Sequence, residues 1–225
     1  MSMFFENNLE NIRSKLLLMG RLATDSLELS LESLIEASSE KAKRVRNKDK
    51  EIDDLENELS ADVTTHLSTH APVAADLRLL ISTMKTSHEI ERIGDEAKAI
   101  ARRARKSIIS NYNLIPKMGE ITIRMIKEAL AVFVEYDEEK AKKIWSTDLI
   151  VDELNVKNIE FCQDLVTQDP SSASSIFEML LISKSLERIG DHAVNISKEV
   201  VFMATSRDVR HAPEYKKSFL KKSLE

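Results

Sequence analysis

Apolar residues recur at every third or fourth position along extended stretches of this chain. This period places an apolar stripe along one face of a helix, whereas a strand would alternate. The pattern therefore predicts long amphipathic helices. The first stretch includes Leu16, Met19, Leu22, Ala23, Leu27, Leu31, Leu34 and Ile35. A second, less regular stretch includes Leu77, Leu80, Ile81, Met84, His88, Ile90 and Ile93.

Six helices are predicted, arranged as two units of three. They span residues 9–36, 39–69 and 74–107 in the first unit and 114–136, 138–168 and 172–206 in the second. Asn111, Asn113 and Pro116 mark the joint between the units. We therefore expect two three-helix bundles, at residues 1–110 and 111–208, and a polar C-terminal tail or short helix at 209–225.

Composition supports an all-α fold. The 225 residues include only four Gly and four Pro, and 5% of the residues are aromatic while 32% are charged. Proteins built from sheets are richer in turn-forming and aromatic residues. Two bundles of this size bury enough apolar surface to be stable.

Charge and hydropathy indicate which partners and which cellular compartment to expect for the protein. The net charge of −5 argues against a nucleic-acid partner, because binding to a duplex relies on basic surface. No apolar run reaches the roughly 18 residues that span a bilayer, so no transmembrane segment is expected. The N-terminus also lacks the pattern of a signal peptide. The single Cys162 is expected to be a small buried residue. We expect a cytoplasmic protein.

One short segment departs from the acidic character of the chain. Arg102, Arg103, Arg105 and Lys106 cluster near the end of a predicted helix. Cations at this end of a helix complement the helix dipole, which is the simpler explanation. Contact with an anion is the alternative.

The chain contains an internal duplication. The segment Glu91-Arg92-Ile93-Gly94-Asp95 returns unchanged as Glu187-Arg188-Ile189-Gly190-Asp191, 96 residues later. Lys41-Ala42-Lys43-Arg44-Val45 likewise corresponds to Lys140-Ala141-Lys142-Lys143-Ile144, 99 residues later. The two predicted units are therefore copies of one unit of about a hundred residues.

Each copy carries two acidic pairs with a spacing of four residues, which puts both members of a pair on one helix face. Like charges at this spacing destabilise a helix slightly, and Gly94 and Gly190 each cost about 1 kcal/mol relative to Ala. A bound cation would offset the repulsion, and a glycine would let a neighbouring helix approach closely. The pairs are Asp49 with Asp53, Glu91 with Asp95, Asp148 with Asp152, and Glu187 with Asp191.

The register of each helical hairpin brings these pairs to the same height. Counting from the turn, Asp53 is level with Glu91, and Asp49 is level with Asp95; the second unit repeats this arrangement. Each unit could thus present four carboxylates to Mg²⁺, Ca²⁺, Mn²⁺ or multinuclear iron. The alternative is that the carboxylates lie on solvated faces and form weak salt bridges with nearby Arg and Lys.

Catalytic signatures are absent from the sequence. Oxygen-activating di-iron bundles use Glu-x-x-His, and none of the five histidines follows a Glu at that spacing. There is no nucleophile motif and no zinc-type Cys/His set, so we predict no enzyme. The lack of a glycine-rich phosphate loop argues against direct phosphate sensing, although helix N-termini could still bind phosphate. His192, directly after the second repeated segment, is a possible additional metal ligand, but a packed or surface histidine is the commoner case.

At this point the motifs resemble those of a known family. Ala74-Ala75-Asp76-Leu77-Arg78-Leu79, the segment ending at Asp95, and the segment from Leu186 through His192 to Ile196 are similar to the PhoU family of bacterial phosphate-uptake regulators. The resemblance covers nearly the whole chain. It departs from the family pattern where Ser175-Ile176-Phe177 stands in place of a second Asp-Leu-Arg element, and where Ala99 corresponds to Asn195.

The resemblance implies pseudo-symmetric bundles, a homodimer and negative regulation of the phosphate-starvation response. It implies two partners, the cytoplasmic ATPase of the phosphate transporter and a membrane sensor histidine kinase. It also implies metal clusters held by the four acidic pairs, although the two sites need not be equivalent. A transport accessory protein without a signalling role, a metal-handling helical protein and a structural coiled coil are the alternatives; the interrupted helices argue against the last.

Overall fold

The part of the chain that the structure describes folds into six long helices. The structure, a computed structural model, describes residues 3–104 and 114–209. Among these residues every long element is α-helical, as predicted, and a 3-10 turn at Pro170–Ser172 precedes the last helix. None of the described helices is both long and apolar enough to cross a membrane. The helices are α1 (Met3–Ile35), α2 (Ser39–His70), α3 (Ala74–Ala104), α4 (Ile115–Glu135), α5 (Glu138–Gln168) and α6 (Ala173–Thr205).

The helix boundaries agree with the prediction to within one residue at most ends. The exception among the described ends is α1, which begins at Met3 instead of residue 9, because no Gly or Pro before that position stops the helix. The predicted end of the third helix, at residue 107, lies outside the described residues. Several predicted features lie outside the described residues. They are Asn111 and Asn113 of the joint, the basic residues Arg105 and Lys106, and residues 210–225 of the tail.

The first turn of each unit is built in the same way. Ser38 caps α2 by accepting a hydrogen bond from the backbone N–H of Lys41 at 3.3 Å. Asp137 caps α5 by accepting from the backbone N–H of Lys140 at 2.9 Å. The residue before each cap is left-handed, with φ of 51° and 58°. The duplication therefore extends to the local turn chemistry, since both caps satisfy otherwise unpaired N–H groups.

The two three-helix units share one core. Within the first unit α1 packs against α2 and α3, and within the second α6 packs against α4 and α5. The units are joined by contacts of α3 with α6 and of α1 with α4. Most of the buried apolar side chains, from all six helices, form one continuous cluster; Ala42, Val45 and Ala101 form a small separate one. Each unit therefore buries apolar surface against the other as well as within itself.

Two glycines allow α1 and α4 to approach closely. A Cβ atom at Gly20 of α1 would lie 2.5 Å from Cδ1 of Leu130 on α4. A Cβ atom at Gly119 of α4 would collide with the Leu31 side chain of α1. Each helix thus offers a glycine to a leucine of the other, which brings the two units together at a short interhelical distance.

The shared core predicts that the two units unfold together. Leu27→Ala removes a fully buried side chain from α1 and should lower the free energy of unfolding by about 2–5 kcal/mol. Denaturant unfolding should be followed by circular dichroism and by fluorescence of the single Trp145 on α5. Both transitions should shift equally, although the substitution and the fluorophore lie in different units.

Leu18→Ala is the matched control, because Leu18 lies on the same helix but is 47% exposed. It should change stability by no more than about 0.5 kcal/mol. An unshifted fluorescence transition in Leu27→Ala would show that the units unfold independently.

Candidate metal centre

The α2–α3 hairpin gathers the predicted acidic residues of the first unit around a lysine. The Nζ atom of Lys98 lies 2.6 Å from Oδ2 of Asp49 and 2.8 Å from Oδ1 of Asp95. Asp49 is on α2 and Asp95 is on α3, so the hairpin has the register that places these two carboxylates at one level. An ammonium group of the chain itself therefore lies between two of the four predicted ligands.

The pKa values of this cluster show how strongly the charges interact. Burial, and then the neighbouring carboxylate of Asp49, raises the pKa of Asp53. Burial, and then the carboxylate of Asp95, raises the pKa of Glu91. Asp53 and Glu91 thus hold protons more tightly than isolated carboxylates do, because burial and the neighbouring carboxylates both disfavour their charged forms.

Lys98 partly compensates this excess of negative charge. Burial alone would lower the pKa of Lys98, but its hydrogen bonds to Asp49 and Asp95 outweigh that effect and raise the pKa. Burial alone would raise the pKa of Asp95, but the hydrogen bond from Lys98 and the charge of its ammonium group, together with weaker contributions from Glu91 and Arg92, outweigh burial and lower the pKa. The Lys98 ammonium is therefore held in its charged form and stabilises the ionised carboxylate of Asp95.

Beside this cluster, three residues are placed to hold a metal ion. One ligand atom each from Glu56, His88 and Glu91 lies within 4.8 Å of the others. Nδ1 of His88 is 3.4 Å from Oε1 of Glu56 and 4.0 Å from Oε2 of Glu91. Imidazole and carboxylate ligands together suit Fe²⁺, Mn²⁺ or Zn²⁺.

Only Glu91 of this group was predicted from the sequence. Glu56 and His88 were missed, although the spacing contains a signal for both. Glu56 follows Asp53 by three residues, and His88 precedes Glu91 by three, so each shares a helix face with a predicted ligand. Neither residue belongs to an acidic pair spaced by four residues, which was the pattern behind the prediction.

The repeated glycines admit a neighbouring helix in each unit, beside a buried aspartate. Asp49 and Asp148 occupy equivalent positions, and each is only 5% exposed. A Cβ atom at Gly190 would lie 2.7 Å from Oδ1 of Asp148, whereas one at Gly94 would lie 3.0 Å from Cδ1 of Ile52 and 4.0 Å from Oδ1 of Asp49. The missing side chains thus allow the neighbouring helix to approach, as the sequence predicted, but only Gly190 makes room for the carboxylate itself.

The acidic residues of the second unit have different surroundings. Val194 corresponds to Lys98, Lys184 to His88 and Asn155 to Glu56. The Nζ atom of Lys184 lies 2.7 Å from Oε2 of Glu187. The second unit therefore has neither the internal lysine nor the histidine of the first, so the two copies differ in chemistry.

The other two predicted ligands of the second unit lie on different helices. Asp152 is half-buried on α5, and Asp191 is exposed on α6 beside a small cleft that Glu96, Arg188 and His192 also line.

His192 takes part in the contact between the two units. Its Nδ1 atom lies 2.6 Å from Oε2 of Glu89 on α3, and Asn195 donates to the same oxygen at 3.2 Å. Burial alone would raise the pKa of Glu89, but these two hydrogen bonds outweigh it and lower the pKa. His192 thus links α6 to α3 at a carboxylate outside the predicted ligand set.

Cys162 is buried and not part of a disulfide. Burial raises the pKa of its thiol to about 11. A thiol with so high a pKa is a weak nucleophile at neutral pH. The prediction that Cys162 is a small buried residue is confirmed.

Sequence comparison identifies relatives over most of the chain. The model of the PhoU domain matches twice, at residues 16–104 and 115–200. A phosphate-specific transport system accessory protein PhoU homolog from Pseudomonas putida is 35% identical over 212 residues, which cover 92% of this chain and 83% of the relative. The PhoU protein of Escherichia coli is 28% identical over 211 residues, 92% of this chain and 88% of the relative.

Solved structures agree with this result. The crystal structure of PhoU from Pseudomonas aeruginosa superposes with a TM-score of 0.87 at 33% identity, covering 90% of this chain and all of that one. The structure of PhoU from Streptococcus pneumoniae superposes with a TM-score of 0.81 at 23% identity, over 91% of this chain and 99% of that one, which is a likeness of fold. With two PhoU domain repeats that account for all six helices, the chain belongs to the PhoU family.

Proposed function

We propose that this chain is a cytoplasmic negative regulator of phosphate uptake and of the phosphate-starvation response. The observation that carries the proposal is similarity along 92% of the chain to phosphate-specific transport accessory proteins, with both domain repeats present. PhoU accessory proteins are non-enzymatic. The chain would therefore act by binding to other proteins.

The proposed partners are the cytoplasmic ATPase of the phosphate transporter and a membrane sensor histidine kinase. An adaptor of this kind shifts the conformational equilibrium of each partner when phosphate is sufficient, by binding one of its states more tightly. The shared core favours this role because it gives the helices a fixed mutual arrangement. We expect the active form to be a homodimer.

Metal binding is the second part of the proposal. In the first unit Glu56, His88 and Glu91 fit a transition-metal ion, while Lys98 already supplies a cation between Asp49 and Asp95. In the second unit the predicted ligands Asp148, Asp152, Glu187 and Asp191 are all oxygen donors, which suit hard cations. A bound metal would organise one face of each unit for contact with a partner.

Deletion of the gene tests the regulatory role. Alkaline phosphatase activity should be high in phosphate-rich medium when the gene is deleted, because the kinase is no longer restrained. Restoring the gene should return activity to the low level of the parent strain. The measurement is enzyme activity per cell, in the source bacterium, with empty vector as the control.

Phosphatase activity that stays low after deletion would contradict the regulatory role. The alternative would then be a transport accessory or metal-handling protein without a signalling role. Uptake of labelled phosphate in the same strains separates these two, because only a transport accessory protein would alter uptake while leaving phosphatase activity unchanged.

Metal content tests the acidic clusters. Protein reconstituted anaerobically with Fe²⁺ and separated from free ions should retain metal, measured by mass spectrometry of the elements. The variant with Ala at positions 91, 95, 187 and 191 should fall to background, because each unit loses two carboxylates. Its helicity should stay close to that of the unmodified protein, because the helices depend chiefly on the apolar core.

Two further variants examine the first unit separately. His88→Ala should lower metal content through loss of the imidazole ligand, and Lys98→Met should raise it, because the internal cation no longer competes. Glu128→Ala with Glu153→Ala, on exposed sites of α4 and α5, is the control and should retain metal. Full retention of metal by the variant lacking all four carboxylates would overturn the site assignment.

The raised pKa of Glu91 predicts a pH dependence in the metal-free protein. The folded chain binds this proton more tightly than the unfolded chain, so stability should rise as the pH falls from neutral through the folded-state pKa. The gain should level off below the unfolded value of 4.5. Glu91→Gln should therefore be more stable than the unmodified protein at neutral pH, and this difference should shrink toward pH 4.

Denaturant midpoints measured between pH 4 and pH 7.5 give this difference directly. Glu128→Gln, on the exposed face of α4, is the control. The opposite result is a Glu91→Gln variant that loses stability, relative to the unmodified protein, as the pH rises from 4 to neutral. It would show that Arg92 stabilises the ionised carboxylate of Glu91 more than burial and Asp95 destabilise it.

A further inference from the structure

A large cleft lies where α2, α3 and α6 meet. Its volume is about 700 Å³, and it is lined by two acidic residues, Asp95 and Glu96, and by six basic residues. The basic residues are Arg46, Lys98, Arg102, Arg103, Lys184 and Arg188. In a chain with a net charge of −5, this concentration of cations on three converging helices is a local reversal of sign.

Most of the cations are held in place by carboxylates around the cleft. Arg103 donates to Glu178 at 3.1 Å. Arg188 donates to Glu96 at the same distance. Lys98 forms ion pairs with Asp49 and Asp95, and Lys184 forms one with Glu187. These pairs orient the long side chains, but they also cancel much of the positive charge.

Two guanidinium groups remain available for a ligand. Arg46, on α2, and Arg102, on α3, are both exposed, and neither forms an ion pair with a carboxylate among the described residues. Arg103 also lines the cleft, but its guanidinium group is paired with Glu178.

We propose that this cleft binds a small molecule that carries a di- or triphosphate group. Guanidinium groups match phosphate oxygens in pairs, and Arg46 and Arg102 approach the cleft from different helices, as binding of a chain of phosphates requires. A single orthophosphate ion would occupy only a small part of the available volume. The phosphate chain could be free inorganic oligophosphate or the tail of a nucleotide.

The sequence had indicated only part of this site. Arg102 and Arg103 belong to the basic cluster for which the helix dipole was the simpler explanation, with an anion as the alternative. Arg46, Lys184 and Arg188 lie far away in the sequence and are brought to the cleft by the packing of α2 and α6 against α3. The geometry favours the anion because it brings one free cation, Arg46, from another helix to the same cleft as Arg102.

Calorimetric titration of the full chain tests the proposal. The protein is first freed of metal with a chelator and dialysed, so that phosphate cannot bind through a cation in the acidic clusters. Inorganic tripolyphosphate, ATP and orthophosphate are then titrated separately, without divalent ions. We expect tripolyphosphate to bind once per chain, much more tightly than orthophosphate, and to weaken as salt is added.

The variant Arg46→Gln with Arg102→Gln should weaken this binding by about tenfold or more, because both free guanidinium groups are lost. The matched control is Arg124→Gln with Lys127→Gln, which removes the same charge from exposed positions on α4 outside the cleft. The control should bind as tightly as the unmodified protein. Circular dichroism checks that both variants remain folded.

The ligands separate the two sources of the phosphate chain. If both tripolyphosphate and ATP bind, and both bind more weakly to the cleft variant, the cleft recognises the phosphate chain itself. If only ATP binds, and the cleft variant weakens its binding, the ligand is a nucleotide. Three results would overturn the proposal. Neither tripolyphosphate nor ATP binds, the cleft variant and the control lose affinity equally, or orthophosphate binds as tightly as tripolyphosphate. Because the assay needs neither metal nor a partner protein, its result is independent of the proposed regulatory function.

Discussion

Burial of one continuous apolar surface by six helices is the constraint on which the rest of this structure depends. The contact of α3 with α6 lies at the junction of the two units, and it is polar as well as apolar. Glu199 of α6 is almost fully buried and accepts hydrogen bonds from Ser82 at 3.0 Å and Lys85 at 3.3 Å, both on α3. Buried groups of this kind must be paired, so they define the register of the two helices. That register in turn positions both repeated acidic segments, because one lies on α3 and the other on α6.

Duplication has preserved the geometry of the acidic clusters more strictly than their chemistry. The buried aspartates Asp49 and Asp148 and the glycines opposite them are retained in both units. The groups around them have diverged, with Lys98 facing the acids in the first unit and Val194 at the matching position of the second. An ammonium among carboxylates lowers the repulsion without any bound ion, whereas a valine contributes no charge. The two units are therefore not equivalent electrostatically, although their backbones follow the same plan.

Lys98 and Asp95 belong to the acidic cluster and also line the cationic cleft. The two surfaces are thus adjacent and share a charged pair. Any ligand that draws the Lys98 ammonium toward the cleft would weaken its contact with Asp49, and any cation among the carboxylates would displace it toward the cleft. Such reciprocity follows from the shared group alone, since coupling between two sites must act equally in both directions. If both proposed sites bind their ligands, this shared charged pair would couple the occupancy of one site to that of the other.

The sequence by itself determined the helices, the duplication and the family. Helical periodicity, the scarcity of Gly and Pro, and the turns near Pro72 and Pro170 depend on neighbours in the chain, and such local preferences can be identified without a structure. It also indicated that Gly94 and Gly190 admit a neighbouring helix, and it predicted Glu91 as a metal ligand, which stays a prediction. Only the tertiary structure decided that Lys98 lies between Asp49 and Asp95, that Glu56 and His88 join Glu91, that His192 contacts Glu89, and that Arg46 and Arg102 line the same cleft. These contacts join residues on different helices, and their distances depend on how side chains pack into the shared core, which no spacing along the chain encodes.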